Sequence, residues 1–219
     1  MTKAVVCRKR GKIMKVLLIN GSPHKAGTTF AALSQVAEAL EGCGVQTEII
    51  QVGHLAIRGC LACYGCSRTG KCVIDDEVNL VAKKFEDADG IVVGSPVHYA
   101  APSGTLVSFL DRLFYSTRFE KRDKVGAAVV CARRGGCTAA FDVLNKYFTI
   151  SGMPVATSSY WNQVHGANAE DARLDEEGML CMRNLGRNMA FLINSISLGK
   201  KETGLPPKEN PVRTNFIKR

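Results

Sequence analysis

The sequence predicts an α/β fold, a doubly wound five-stranded parallel sheet with helices on both faces. Three observations carry that expectation. Apolar runs alternate with segments of helical period across residues 14–199, the pattern of strands joined by crossover helices. Three runs, at 16–19, 91–93 and 127–130, are apolar without a break, as strands covered on both faces are. Two more, at 47–52 and 154–159, mix in polar residues, and the second opens on Pro154, which lacks the N–H a central strand needs.

Taken in order, 16–19 is the first strand and a central one. Phe30, Leu33, Val36 or Ala37, and Leu40 then recur at helical spacing and predict a helix packed on the sheet. The strand at 47–52 is an edge, and 91–93 and 127–130 are the third and fourth strands, inside. Phe141, Leu144 and Phe148 mark the next helix, 154–159 is the other edge, and Met182, Leu185, Met189 and Leu192 mark the last helix. Edges at the second and fifth positions give the order 2-1-3-4-5 of flavodoxin-like sheets. Ligands in such sheets sit beyond the carboxyl ends of the strands, at the switch point between the first and third.

A chain of 219 residues with 46% hydrophobic content supports one core, and no break in composition divides it. The net charge of +9 resides at the ends. Residues 1–13 hold five basic side chains and no acid, and 200–219 hold six against two acids, so 14–199 is neutral. The expected organisation is a basic N-terminal extension over 1–13, one domain over 14–199 and a basic tail over 200–219. A neutral body without an interleaved aromatic and basic face argues against specific nucleic-acid binding. No run approaches the roughly 18 apolar residues of a membrane span, and no leader pattern is read at the start, so a cytoplasmic protein without a membrane span is expected. Nine cysteines in such a chain are expected as thiols.

After the first strand, residues 21–29 (Gly-Ser-Pro-His-Lys-Ala-Gly-Thr-Thr) place hydroxyls and a glycine directly before a helix whose first turn has unpaired N–H groups. That is a phosphate cradle, with simple helix capping by Ser22 or Thr28 as the alternative. Neither a Walker loop nor a G-x-G-x-x-G signature occurs, which weighs against nucleotide triphosphates and Rossmann-bound NAD. After the third strand, residues 94–104 carry the rings of His98 and Tyr99 where a planar ligand would stack.

Together, Gly-Ser-Pro-x-Lys-x-Gly-x-Thr and Gly-Ser-Pro-Val-x-Tyr resemble the NAD(P)H-dependent FMN reductases of the flavodoxin superfamily. The resemblance implies that Ser22, His24, Gly27, Thr28 and Thr29 hold the FMN phosphate, and that Pro96, Val97, His98 and Tyr99 line the ribityl chain and isoalloxazine. His24 and Thr28 replace the Arg and Asn usual in that family. Ala132, Arg133, Gly135 and Gly136 resemble its third flavin loop, where an arginine suits anionic reduced flavin. The segment around Trp161 and His165 resembles a further part of the rim, and both His98 and His165 are read as binding rather than catalytic residues.

Cys60, Cys63, Cys66 and Cys72 fall within thirteen residues of a long connection, and C-x2-C-x2-C is a spacing used by iron–sulfur loops. The segment resembles the compact cysteine motif of iron–sulfur flavoproteins, which implies a [4Fe–4S] cluster beside FMN. The alternatives are thiols packed beneath a long loop, or zinc, whose four-cysteine sites more often use two separated pairs. The other five cysteines read as inert thiols. The expected activity is an FMN-dependent NAD(P)H oxidoreductase, ping-pong in kinetics, serving quinone, flavin, nitro or azo acceptors. The alternative is an electron carrier between protein partners. The resemblance also implies a homodimer or homotetramer.

Overall fold

A computed structural model of the protein describes residues 13–210, 212 and 214. The expected N-terminal extension therefore lies outside the described residues apart from Ile13. Strand β1 (Lys15–Asn20) is followed by α1 (Thr28–Gly42), β2 (Gln46–Gln51), the single turn α2 (Cys66–Thr69) and α3 (Glu77–Asp87). Then come β3 (Gly90–His98), β4 (Ala101–Pro102), α4 (Gly104–Ser116), β5 (Val125–Ala132) and α5 (Cys137–Ile150). The chain closes with β6 (Gln163–His165), α6 (Ala169–Leu174) and α7 (Glu176–Thr203).

The parallel strands lie in the order β2-β1-β3-β5-β6, the expected 2-1-3-4-5, with β4 added antiparallel to the end of β3. Alternate residues of each strand feed alternate cores. Val16 and Leu18 of β1 pack with α1, α6 and α7 on one face, whereas Leu17 and Ile19 pack with α3, α4 and α5 on the other. The helix positions read from the sequence fall in these cores: Leu33, Val36, Ala37 and Leu40 of α1, Leu144 and Phe148 of α5, and Met182, Leu185 and Met189 of α7 are buried. α7 continues through Lys200 and Lys201 to Thr203, so the first residues of the basic tail are helical. Beyond it, Pro206 accepts a bond from Arg122 and Lys208 pairs with Glu120, laying the chain against 120–122.

The fifth parallel strand is where the chain departs from expectation. Residues 154–159 do not form a continuous strand. Only Val155 bridges the sheet, opposite Gly126, through bonds from Gly126 N to Pro154 O and from Ala156 N to Gly126 O. Residues 157–161 then leave the edge around a Ser158–Tyr160 turn, and pairing resumes at β6. Buried Asn162 bridges the gap. Its side-chain amide donates to Ala128 O at 3.0 Å in place of the missing backbone donor, and its own carbonyl accepts from Val130 N at 3.0 Å. The expected rim segment thus contains a structural residue, Asn162.

Removing that amide leaves a buried strand carbonyl unpaired, a cost of about 1–3 kcal/mol. Asn162→Ala is expected to lower the urea midpoint correspondingly with an unchanged m value, measured by circular dichroism.

Candidate functional site

The candidate phosphate loop, residues 21–29, is shaped by three side chains acting on its first two residues. Asn20, at the end of β1, accepts from Ser22 N at 3.0 Å and donates to Gln51 at 2.6 Å. Gln51 in turn donates to Ser22 O at 2.5 Å. Ser22 Oγ accepts from His24 N at 3.1 Å, while the His24 side chain stands exposed. The chain after β2 crosses directly beneath: a Cβ on Gly53 would lie 2.2 Å from Ser22 O and 2.3 Å from Gly21 O. Gly27 begins α1 without a side-chain cap, so the first-turn N–H groups keep their donor capacity for an anion.

The two threonines do different work from a cap. Thr28 Oγ1 donates to Gly166 O at 3.3 Å and Asn168 O at 3.0 Å, bracing α1 to the chain beyond β6. Thr29 is buried and its hydroxyl bonds Cys131. Burial pushes the Cys131 thiol up to about 12, so it is inert; Cys137 and Cys181 are buried too.

The second loop is a hairpin. β3 runs on to His98, turns at Tyr99 and Ala100, and returns as β4. Tyr99 (φ 50°) and Ala100 (φ 59°) both occupy the left-handed region that a two-residue turn of the primed type demands. Neither is glycine, so the turn holds strain of a kind found at ligand clamps. It thrusts the Tyr99 ring fully into solvent. Ser103 fastens this hairpin to the phosphate loop. Its hydroxyl donates to Gly21 O at 2.7 Å and accepts from Leu106 N at 3.3 Å, its amide donates to Ser95 Oγ at 2.9 Å, and Gly21 N donates to Gly94 O at 2.8 Å.

The third loop leans on the second. Gly136 has φ 93°, and a Cβ there would lie 2.9 Å from Ala100 Cα and 3.0 Å from Val97 Cγ1. Arg133 and Arg134 are exposed beside it. Gly166 N donates to Ala132 O at 3.1 Å while Gly166 O receives Thr28, so the rim closes from the third loop back to α1. Ser22, Gly27, Pro96, Val97, His98, Tyr99, Ala132, Arg133, Gly135 and Gly136 thus stand on three loops joined at one end of the sheet. His165 is different: its amide donates to Asp175 at 2.7 Å and its ring lines a separate pocket with Tyr160, Trp161 and Asp175.

Cys60, Cys63, Cys66 and Cys72 all line one pocket with Leu61, Tyr64, Val73, Ile74 and Tyr115. Ala62 (φ 50°) and Tyr64 (φ 55°), on either side of Cys63, both take left-handed backbone. Ala62 N approaches Cys60 Sγ at 3.5 Å. Among the described residues no three Cys, His, Asp or Glu side chains are grouped to hold a single ion. The four thiols surround one pocket without that grouping.

Three residues that hold this ring escaped the sequence reading. Arg112 of α4, 1% exposed, donates from Nε to Cys72 Sγ at 3.3 Å, from Nη1 to Arg58 O at 3.3 Å and from Nη2 to Ile74 O at 3.0 Å. Its outer edge forks onto Asp76 at 2.6 and 2.8 Å. Burial opposes the charge, but the bonds from Asp76 and Cys72 outweigh it and hold the guanidinium above its ordinary range. Asn79 clamps Cys72 at both its amide and carbonyl, each at 3.0 Å. The available signal was Arg112 itself, a charge at position i+3 from Phe109 on an otherwise apolar face.

Gly53 and Gly59 make a matched pair for testing the phosphate loop. Gly53→Ala would force backbone carbonyls apart and is expected to cost about 1–3 kcal/mol or more in urea unfolding. Gly59→Ala, whose Cβ meets only Ser108 Oγ at 3.8 Å, should shift the midpoint negligibly.

The family model of NADPH-dependent FMN reductases matches residues 14–168. The chain is 33% identical over 191 residues to an iron–sulfur flavoprotein of Methanocaldococcus jannaschii, covering 84% of this chain and 99% of that one. It is 27% identical over 188 residues to an iron–sulfur flavoprotein of Methanosarcina thermophila, covering 84% and 97%. A flavodoxin from the domain Archaea superposes with a TM-score of 0.56 at 17% identity, covering 83% of this chain and 99% of that one, a likeness of fold. The chain belongs to the family of NADPH-dependent FMN reductases and, within it, groups with the iron–sulfur flavoproteins.

Proposed function

We propose that the protein is an FMN-dependent NAD(P)H oxidoreductase carrying a [4Fe–4S] cluster in its four-cysteine loop. The observation that carries the flavin reading is the closed rim: three loops, bonded to one another at the β1/β3 switch point, surround an uncapped helix start. Ser22 and the backbone amides of Gly27, Thr28 and Thr29 at the start of α1 hold the FMN phosphate, and exposed His24 adds a contact that strengthens when it is protonated. Pro96, Val97, His98 and Tyr99 flank the ribityl chain and ring. Ala132, Gly135 and Gly136 bring backbone to the ring's polar edge, and Arg133 offsets charge there. His165, paired with Ala132 and with its backbone amide bonded to Asp175, flanks this rim from its own pocket.

Bound FMN supplies hydride acceptance and one- or two-electron release, and the cluster supplies one-electron storage. The protein's own part is to hold both on one scaffold: α4 starts at the second loop and reaches Arg112 about 12 Å further along its axis. The acceptor of the first reading is a small planar molecule such as a quinone, flavin, nitro or azo compound, reached through the exposed ring of Tyr99. Convergence of four thiols on one pocket favours a second reading, delivery of electrons to a protein partner. We place the protein in the cytoplasm as a homodimer or homotetramer; no helix among the described residues is long and apolar enough to cross a membrane.

Anaerobic purification followed by flavin, iron and sulfide analysis tests both cofactors at once. One FMN and about four irons per chain are expected. NADH or NADPH should bleach the flavin, and steady-state turnover with a quinone should give parallel double-reciprocal lines. Absence of bleaching by either nucleotide rejects the reductase reading in favour of the carrier. Gly136→Ala should weaken FMN binding about tenfold, equivalent to about 1.4 kcal/mol.

A further inference from the structure

Among the described residues, Arg112 is the one fully buried cation that touches the thiol ring, and its surroundings are unequal. All of its donors are engaged, and the inner one, Nε, faces Cys72 Sγ at 3.3 Å. The compensating carboxylate, Asp76, lies on the far edge of the guanidinium, where Nη1 and Nη2 reach it at 2.6 and 2.8 Å. Arg112 is 1% exposed and the Asp76 side chain 26%, so water screens the acid more than the base. The guanidinium therefore presents its positive charge to the Cys72 sulfur, with its carboxylate partner on the opposite edge.

Resting on the cluster reading above, we propose that Arg112 is a positioning residue that sets the electron affinity of the group bound by Cys60, Cys63, Cys66 and Cys72, with Asp76 opposing it. Reduction adds one electron and breaks no bond, so a group already rich in thiolate charge becomes more negative by one unit. A buried guanidinium bonded to one ligand sulfur favours that more negative state, and hydrogen bonds to cluster sulfurs act in the same sense. Reduced flavin, when bound at the rim, would supply that electron. The pair thereby adjusts how readily electrons leave the flavin, by a route separate from the flavin's own contacts.

The test is an anaerobic redox titration of the purified full chain with dithionite, following the reduced cluster by EPR and the flavin by absorbance. Arg112→Gln keeps hydrogen-bonding capacity and removes the charge. It should lower the cluster's reduction equilibrium by about tenfold, about 59 mV for one electron, and leave the flavin potential in place. Asp76→Asn keeps both the α3 cap and the guanidinium and should shift the cluster the opposite way by about threefold. If Arg112→Gln fails to retain iron, Asp76→Asn decides alone. A full complement of iron with an unmoved cluster potential in either variant overturns the proposal, as does an equal shift of flavin and cluster. Wild-type protein without iron sinks the cluster reading itself, a result distinct from iron-replete variants that do not shift.

Discussion

Two bonds at Gly21 decide the form of the rim. Its amide donates to Gly94 O across the β1/β3 boundary, and its carbonyl takes the hydroxyl of Ser103. The first carries the sheet ladder one residue past the end of β1, so that the phosphate loop leaves from a fixed point. The second anchors the start of α4 and the base of the Tyr99 hairpin to that point. A side chain at Gly21 would meet Leu106 at 2.6 Å and Gly94 O at 2.9 Å, so both bonds depend on a residue without one. The third loop leans on the hairpin through Gly136, and Thr28 closes the circle through Gly166. Strain at Tyr99 and Ala100 is tolerated because the turn is held from both sides.

The thiol pocket uses a different economy of forces. A buried ion pair gains little net stability once desolvation is counted, but losing one partner is expensive. Arg112 turns that asymmetry into order, because satisfying its donors requires Arg58 O, Cys72 Sγ, Ile74 O and Asp76 to be in place together. One helix residue thus gathers both ends of a long connection that has only the single turn of α2 as regular structure.

The sheet was legible because burial on both faces leaves an unmistakable mark: the apolar runs of β1, β3 and β5 and the polar admixture of β2 gave their places directly. Spacing and family likeness singled out the loop after β1 and the four cysteines that line one pocket. The broken edge was not. Val155 and Ala156 read like strand residues, and nothing local says that Asn162, seven positions after Val155, supplies the next sheet contact from a side chain. Thr28 and Thr29 read as phosphate ligands, although their hydroxyls engage carbonyls beyond β6 and a buried thiol, leaving the backbone amides as the loop's free donors. Arg112 was hidden for the opposite reason: one charge inside an apolar stripe carries no label for its partners, which come from residues 36 to 54 positions away.

The interrupted edge at 154–165 bears on how the protein lives at high concentration. A continuous outer strand would offer an unbroken row of N–H and C=O groups, a template on which a neighbouring chain can add its own strand. Here the row is a single bridge, then an excursion, then three residues, with Pro154 lacking a donor and Asn162 occupying an acceptor from within. The opposite edge, β2, carries Glu48 joined to both Lys15 and Lys84. Discontinuity on one side and this charged cluster on the other both oppose growth of the sheet by added strands.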